Sequence, residues 1–148
     1  MNIKDALKIL EKDKVFKDWK KKNSDFFITN VFIMLQDSNE IDKVQIGYCN
    51  KKGDKITSFI VDKDNIGQFS DKIFKEPNTK IFKIDIKNVK IDVEDALNKA
   101  NKSQEKYYPA TLSTKKILLL QNKGKGELWN ITFITGSLEV LHFNIDSK

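Results

Sequence analysis

The spacing of apolar residues along the chain changes repeatedly, and each change marks an element. Ile3, Ala6, Leu7 and Leu10 recur at helical spacing, with Asn2 placed to cap the helix and Asp5 three residues on. After residues 11–14 the stripe resumes out of phase with Val15, Phe16 and Trp19, which predicts a kink or two short helices near Asp13 within residues 3–22. Lys20, Lys21 and Lys22 close that helix, where cations oppose the negative end of the dipole. Residues 26–36 are apolar at both parities and rich in β-formers, which predicts a central strand covered on both faces. Residues 43–49 and 55–62 alternate as two further strands, with turns at 37–40 and 50–54 and a close at 63–65.

Residues 66–79 are less regular. Ile66, Phe69, Ile73 and Phe74 fit a short helix that Glu76, Pro77 and Asn78 would break. Residues 80–87 alternate Phe82, Ile84 and Ile86 with charged residues, as a half-buried strand does. Asp92, with Asp95 three on, opens a second helix on Val93, Ala96, Leu97 and Ala100, running to about Ser103, with residues 104–108 continuing as a loop or a helical turn before Pro109. A strand follows at 115–121 and a turn at 122–126. Two apolar-rich runs, 127–134 and 138–146, then flank Thr135-Gly136-Ser137, a hairpin signal. Alternation puts Trp129, Ile131 and Phe133 on one face, and Leu141, Phe143 and Ile145 likewise.

The predicted order is helix and three strands, twice. This is an α+β chain of two αβββ units, each a helix on an antiparallel sheet, at residues 1–65 and 91–148, with a connector at 66–90 that carries a strand. Short matches run through both units in the same order: Asp5-Ala6-Leu7 with Asp95-Ala96-Leu97, Val44 to Tyr48 with Trp129 to Phe133, and Val61-Asp62 with Ile145-Asp146. Their common order favours a duplication.

Composition changes this picture in one respect. The net charge is +6, and all 27 basic residues are lysine. Arginine supplies the planar fork that grips phosphates and reads guanine. Its absence argues against specific nucleic-acid recognition and leaves weak attraction to polyanions. No run reaches the ~18–20 apolar residues of a membrane span, and the charged N-terminal stretch lacks the core of a secretory signal. The sequence as written therefore predicts a cytoplasmic chain; a leader or anchor ahead of it would place it outside the cytoplasm.

The residues 93–100 (Val-Glu-Asp-Ala-Leu-Asn-Lys-Ala), 128–133 (Leu-Trp-Asn-Ile-Thr-Phe) and 141–148 (Leu-His-Phe-Asn-Ile-Asp-Ser-Lys) resemble the opening helix, middle strand and last strand of the PepSY domain. The likeness covers about residues 91–148. The first half is a weaker copy, with Val44 where the family's Trp stands, and the family's closing Thr-Gly is not reached. The resemblance implies a small α+β unit, tandem units in some members, and an association with propeptides and regulators of peptidases, mostly outside the cytoplasm. It brings no shared catalytic residues.

Chemistry-bearing residues are sparse. Cys49 and His142 are each the only one of their type, so no intrachain disulfide, ordinary zinc set or thiol–imidazole pair is predicted. His142 falls on the strand face opposite Leu141 and Phe143, and Cys49 reads as a small apolar filler. Gly124 and Gly126 lack the spacing of a phosphate loop. No cofactor or metal is expected. Trp129, Phe133 and Phe143 read as core. Tyr107, Tyr108 and Pro109 form the candidate partner-binding site, because rings in a loop are less explained by packing. The expected function is a non-enzymatic protein- or peptide-binding module, a peptidase regulator or inhibitor by the resemblance. The alternative is a lysine-rich protein docking on nucleic acid or an anionic membrane surface.

Overall fold

The computed structural model describes residues 1–73 and 79–148. Its elements are α1 (Ile3–Lys12), α2 (Lys14–Lys22), β1 (Phe27–Gln36), β2 (Val44–Cys49), β3 (Lys55–Val61), β4 (Ile66–Lys72), a 3-10 turn at Ile86–Asn88, α3 (Val93–Tyr107), β5 (Ser113–Asn122), β6 (Glu127–Thr135) and β7 (Val140–Asp146). The strands form one antiparallel sheet in the order β4-β3-β2-β1-β5-β6-β7. The class is α+β, as expected.

The predicted break in the first helix is real and has a local cause. Asp13 adopts extended backbone after α1, and its carboxylate accepts the Phe16 N–H, capping α2. Asp92 serves two helices, accepting the N–H of Val93 in α3 and the N–H of Ile3 in α1. The two helix starts therefore meet at one carboxylate.

The helices pack on a single face of the sheet. Ile3, Ala6 and Leu10 of α1, Phe16 of α2 and Ala96, Leu97 and Ala100 of α3 share one core with Val31, Ile46, Phe59, Leu118 and Ile131. Rungs such as Val31↔Ile46, Ile46↔Phe59, Val31↔Leu120 and Leu118↔Ile131 carry that inner face across the sheet. Trp129 and Phe133 are fully buried. Beside the core, Trp19 stands edge-on to Phe26, Tyr48 and Phe59.

Three expectations need correction. β1 is central, but it is not covered on both faces: Phe32 is half-buried and Met34 is 49% exposed on the face away from the helices. Residues 66–72 are a strand, not a helix. β3 offers a bare edge, and seven rungs from Val61↔Ile66 to Lys55↔Lys72 outweigh the helical spacing of Ile66 and Phe69. The remainder of that predicted helix, and its break at Glu76, Pro77 and Asn78, lie outside the described residues. Residues 80–87 form no strand. β5 already occupies the neighbouring side of β1 from Asn30 onward, so only the Ile84 N–H reaches a strand carbonyl, that of Ile28. The next amides go to carboxylates, Asp85 N–H to Glu127 and Lys87 N–H to Asp85. The strand found between residues 66 and 90 is β4, at Ile66–Lys72, and not the one expected at 80–87. α3 also runs past Ser103 to Tyr107.

Candidate functional site

β7 is an outer strand of the sheet. Thr135 N–H bonds the Glu139 carbonyl, and Ser147 N–H bonds the Glu127 carbonyl. Odd-numbered residues of β7 therefore turn their main chain toward β6. By the alternation of an antiparallel ladder, Val140, His142 and Asn144 turn theirs outward. Among the described residues, nothing bonds those outward groups. Edge strands ordinarily carry lysine, proline or a bulge that discourages pairing. β7 reads Val-Leu-His-Phe-Asn-Ile-Asp and pairs with β6 through seven uninterrupted rungs. The opposite edge, β4, carries Gly67, Asp71 and Lys72 and is the better guarded of the two.

The odd residues face the helix side, where Phe143 packs on Phe133 at 5.1 Å between ring centroids. Ile91 donates its N–H to the Ser147 carbonyl and accepts the indole N–H of Trp129 at 2.7 Å, which fixes the start of α3 beside the end of β7. α3 then runs back along the edge. Between them lies an open cleft of about 740 Å³, floored by Phe143 and Ile145 and walled by Lys99, Lys102 and Ser103. Lys148 stands at its end, and Asp146 is the one carboxylate among its lining residues. Such a cleft attracts acidic side chains, and the bare edge beside it supplies main-chain donors and acceptors.

Tyr107 is the last residue of α3 and Tyr108 its cap; they are 65% and 48% exposed, and Pro109 is exposed as well. Lys99, Ser103 and Tyr107 are spaced four apart, so they share one helix face and Tyr107 prolongs the cleft wall. The Lys106 ammonium sits 5.1 Å from the Tyr107 ring centre. His142 is exposed, with Nδ1 3.3 Å from the Thr132 hydroxyl. Cys49 is buried, its thiol 3.4 Å from the Asn50 carbonyl oxygen. Among the described residues, no cluster of histidine, cysteine and carboxylates is arranged to hold a metal, and no helix is long and apolar enough to cross a membrane.

One cation is held unusually. Lys116 bonds the side-chain carbonyls of Asn39 and Asn101 at 2.6 and 2.8 Å and stands 4.8 Å from the Phe133 ring centre. Partial burial lowers its pKa from the ordinary lysine value. These contacts tie the 37–43 loop to α3, a structural role.

The sequence does not single out Lys99, Lys102 or the β7 edge. A signal exists, namely two lysines three apart on a helix and a strand without lysine. Which strand ends up outermost depends on pairing across the whole chain. No family model, curated protein or solved structure matches the chain.

Proposed function

We propose that the protein is a non-catalytic binding module that takes an extended segment of another polypeptide along β7. The observation that carries this reading is the unguarded edge: a regular seven-residue outer strand with free main-chain groups, in a chain with 27 lysines, none on that strand. A segment added there continues the ladder, and acidic side chains on its helix-side face meet Lys99 and Lys102. Tyr107 and Tyr108 offer broad, slightly polar surfaces to the same segment beyond the cleft.

The resemblance to PepSY units gives a specific version, a regulator or inhibitor of a peptidase, and that version rests on analogy. The ladder registers support the accompanying idea of a duplicated αβββ unit. The rungs Val44↔Val61, Ile46↔Phe59 and Tyr48↔Thr57 correspond, strand for strand, to Trp129↔Ile145, Ile131↔Phe143 and Phe133↔Leu141. The same correspondence aligns Val44 with Trp129 and Val61 with Ile145 in the sequence.

The test starts with a partner captured from native lysate and identified by mass spectrometry. Its affinity is then measured for wild type and for Asn144→Pro. Proline on an edge is tolerated where its N–H faced solvent, so the variant keeps the ladder and loses one outward donor. Weaker binding by Asn144→Pro, with exchange protection of the His142 and Asn144 amides in the complex, is the expected result. Equal binding with no such protection would place the site elsewhere. A steep loss of binding with salt would favour the polyanion alternative. Substrate turnover abolished by His142→Ala would overturn the non-catalytic reading.

A further inference from the structure

The sheet face turned away from the helices lacks what the rest of the surface has. Charged residues make up 32% of the chain. From β3 across to β6, the strand residues on this outer face include one charged side chain, Lys115, at the end of β5. Rungs define the face: Ile60↔Gln45, Gln45↔Phe32, Phe32↔Leu119 and Leu119↔Asn130 form one row across it. Met34 and Ile117 form the next. Phe32, Met34, Ile60, Ile117 and Leu119 make an apolar centre that is half-buried or exposed. Asn30, Gln45, Gln121 and Asn130 surround it with uncharged amides. The Asn30 amide lies over Gly47, where a Cβ would stand 2.6 Å from it, so the middle of the face carries no bump.

We infer that this face is the interface of a two-fold homodimer, two sheets packed face to face. Three arguments choose a second copy as the occupant. The first is charge: two chains of net charge +6 repel, and this face lets them approach with Lys115, at its margin, as its one lysine. The second is chemistry. A two-fold interface puts the same patch on both sides, and amides, which donate and accept alike, pair with their own copies. Interface cores are likewise poor in charge. The third is size. The five strands from β3 to β6, about 4.8 Å apart and roughly 23 Å long, give a footprint near ~550 Å² per copy, and two copies together clear the ~1,000 Å² expected of a specific interface. Aligned sheets ~10 Å apart bring the two apolar centres into contact.

This inference is independent of peptide capture at β7, since it uses the outer face and not the edge. The full chain is examined by sedimentation and light scattering over a concentration series, alongside Met34→Lys and Asn144→Pro. A dimer of twice 17.2 kDa that falls to monomer in Met34→Lys and persists in Asn144→Pro is the expected result. Met34 is 49% exposed, so lysine there is compatible with the monomer fold, and circular dichroism checks this. Should Met34→Lys unfold, Thr132→Lys on the same face takes its place. A wild-type monomer up to about 100 μM, a dimer broken only by Asn144→Pro, or a dimer that survives every face substitution would each overturn the inference.

Discussion

Replacing Trp129 tests the core from its largest member. The side chain is fully buried on β6, between rungs to Leu120 and Ile145. Its indole N–H bonds the Ile91 carbonyl, which anchors the segment leading into α3. Trp129→Ala removes the ring, opens a cavity and leaves that carbonyl without its donor. Large-to-small aromatic changes in cores cost about 3–5 kcal/mol, and an orphaned, partly buried carbonyl adds about 1 kcal/mol. The expected loss is therefore about 4–6 kcal/mol, a large share of the ~5–15 kcal/mol of a typical domain. Trp129→Phe keeps much of the volume and loses the hydrogen bond, so it should cost about 2–3 kcal/mol. Urea melts read both, followed by circular dichroism and by Trp19, the remaining tryptophan, whose ring contacts report the packing of α2. A loss below ~1 kcal/mol for Trp129→Ala would mean that the ring is not a core element, and would undo the placement of α3 against β6.

Asp92→Ala should cost about 1–3 kcal/mol in the same melts, more than one ordinary cap, because the carboxylate serves the starts of both α1 and α3; a change under ~0.5 kcal/mol would refute the shared cap. Burial, reinforced by the Glu11 carboxylate, raises the Tyr48 phenol well above its ordinary pKa near 10. A raised folded pKa gives stability that is complete below pH ~10 and lost as pH rises beyond it, so Tyr48→Phe should flatten the alkaline decline of stability, and an unchanged decline would refute this. Tyr107→Ala/Tyr108→Ala should leave the urea midpoint within about 0.5 kcal/mol of wild type and weaken capture of the partner several-fold; equal affinity would remove the tyrosines from the site.

Elements were legible where local pattern and tertiary pairing agree. The 127–146 hairpin shows itself by alternation on both arms, and the phase jump at Asp13 marks a true helix boundary, because one residue both ends α1 and caps α2. The failures come from pairing. β4 puts only Ile66 against the core side with any burial, while the rest of the strand is exposed, so no alternation of burial marks it in the sequence; it exists because β3 needed a neighbour. Residues 80–87 alternate as a strand should, but the side of β1 available to them is taken from Asn30 onward by β5, distant in sequence but adjacent in the sheet. The candidate site was half legible for the same reason. Tyr107 and Tyr108 were visible as rings without a packing role, whereas the cleft needs β7 at the edge and α3 alongside it, which only the completed sheet determines.

The apolar residues at both parities of β1 carry the remaining lesson. Read alone, Phe32 and Met34 call for a second covering layer, and among the described residues the helices cover one face only. Net charge by itself implies no more than a solvated surface with weak attraction to polyanions, because lysine is spread over nearly every segment and so distinguishes none of them. In a chain this rich in lysine, the informative places are those it avoids. Two adjoin each other: the β7 strand, and the outer face from β3 to β6. A solvated surface gains from charge wherever charge is tolerated, and single exposed apolar residues need no explanation. A connected, nearly uncharged face with an apolar centre is different, because nothing in the packing of the inner core requires Gln45, Asn130 or Met34 to stay uncharged. Coverage by another protein surface supplies that requirement, and it accounts for the outer residues of β1 without a third layer within the chain.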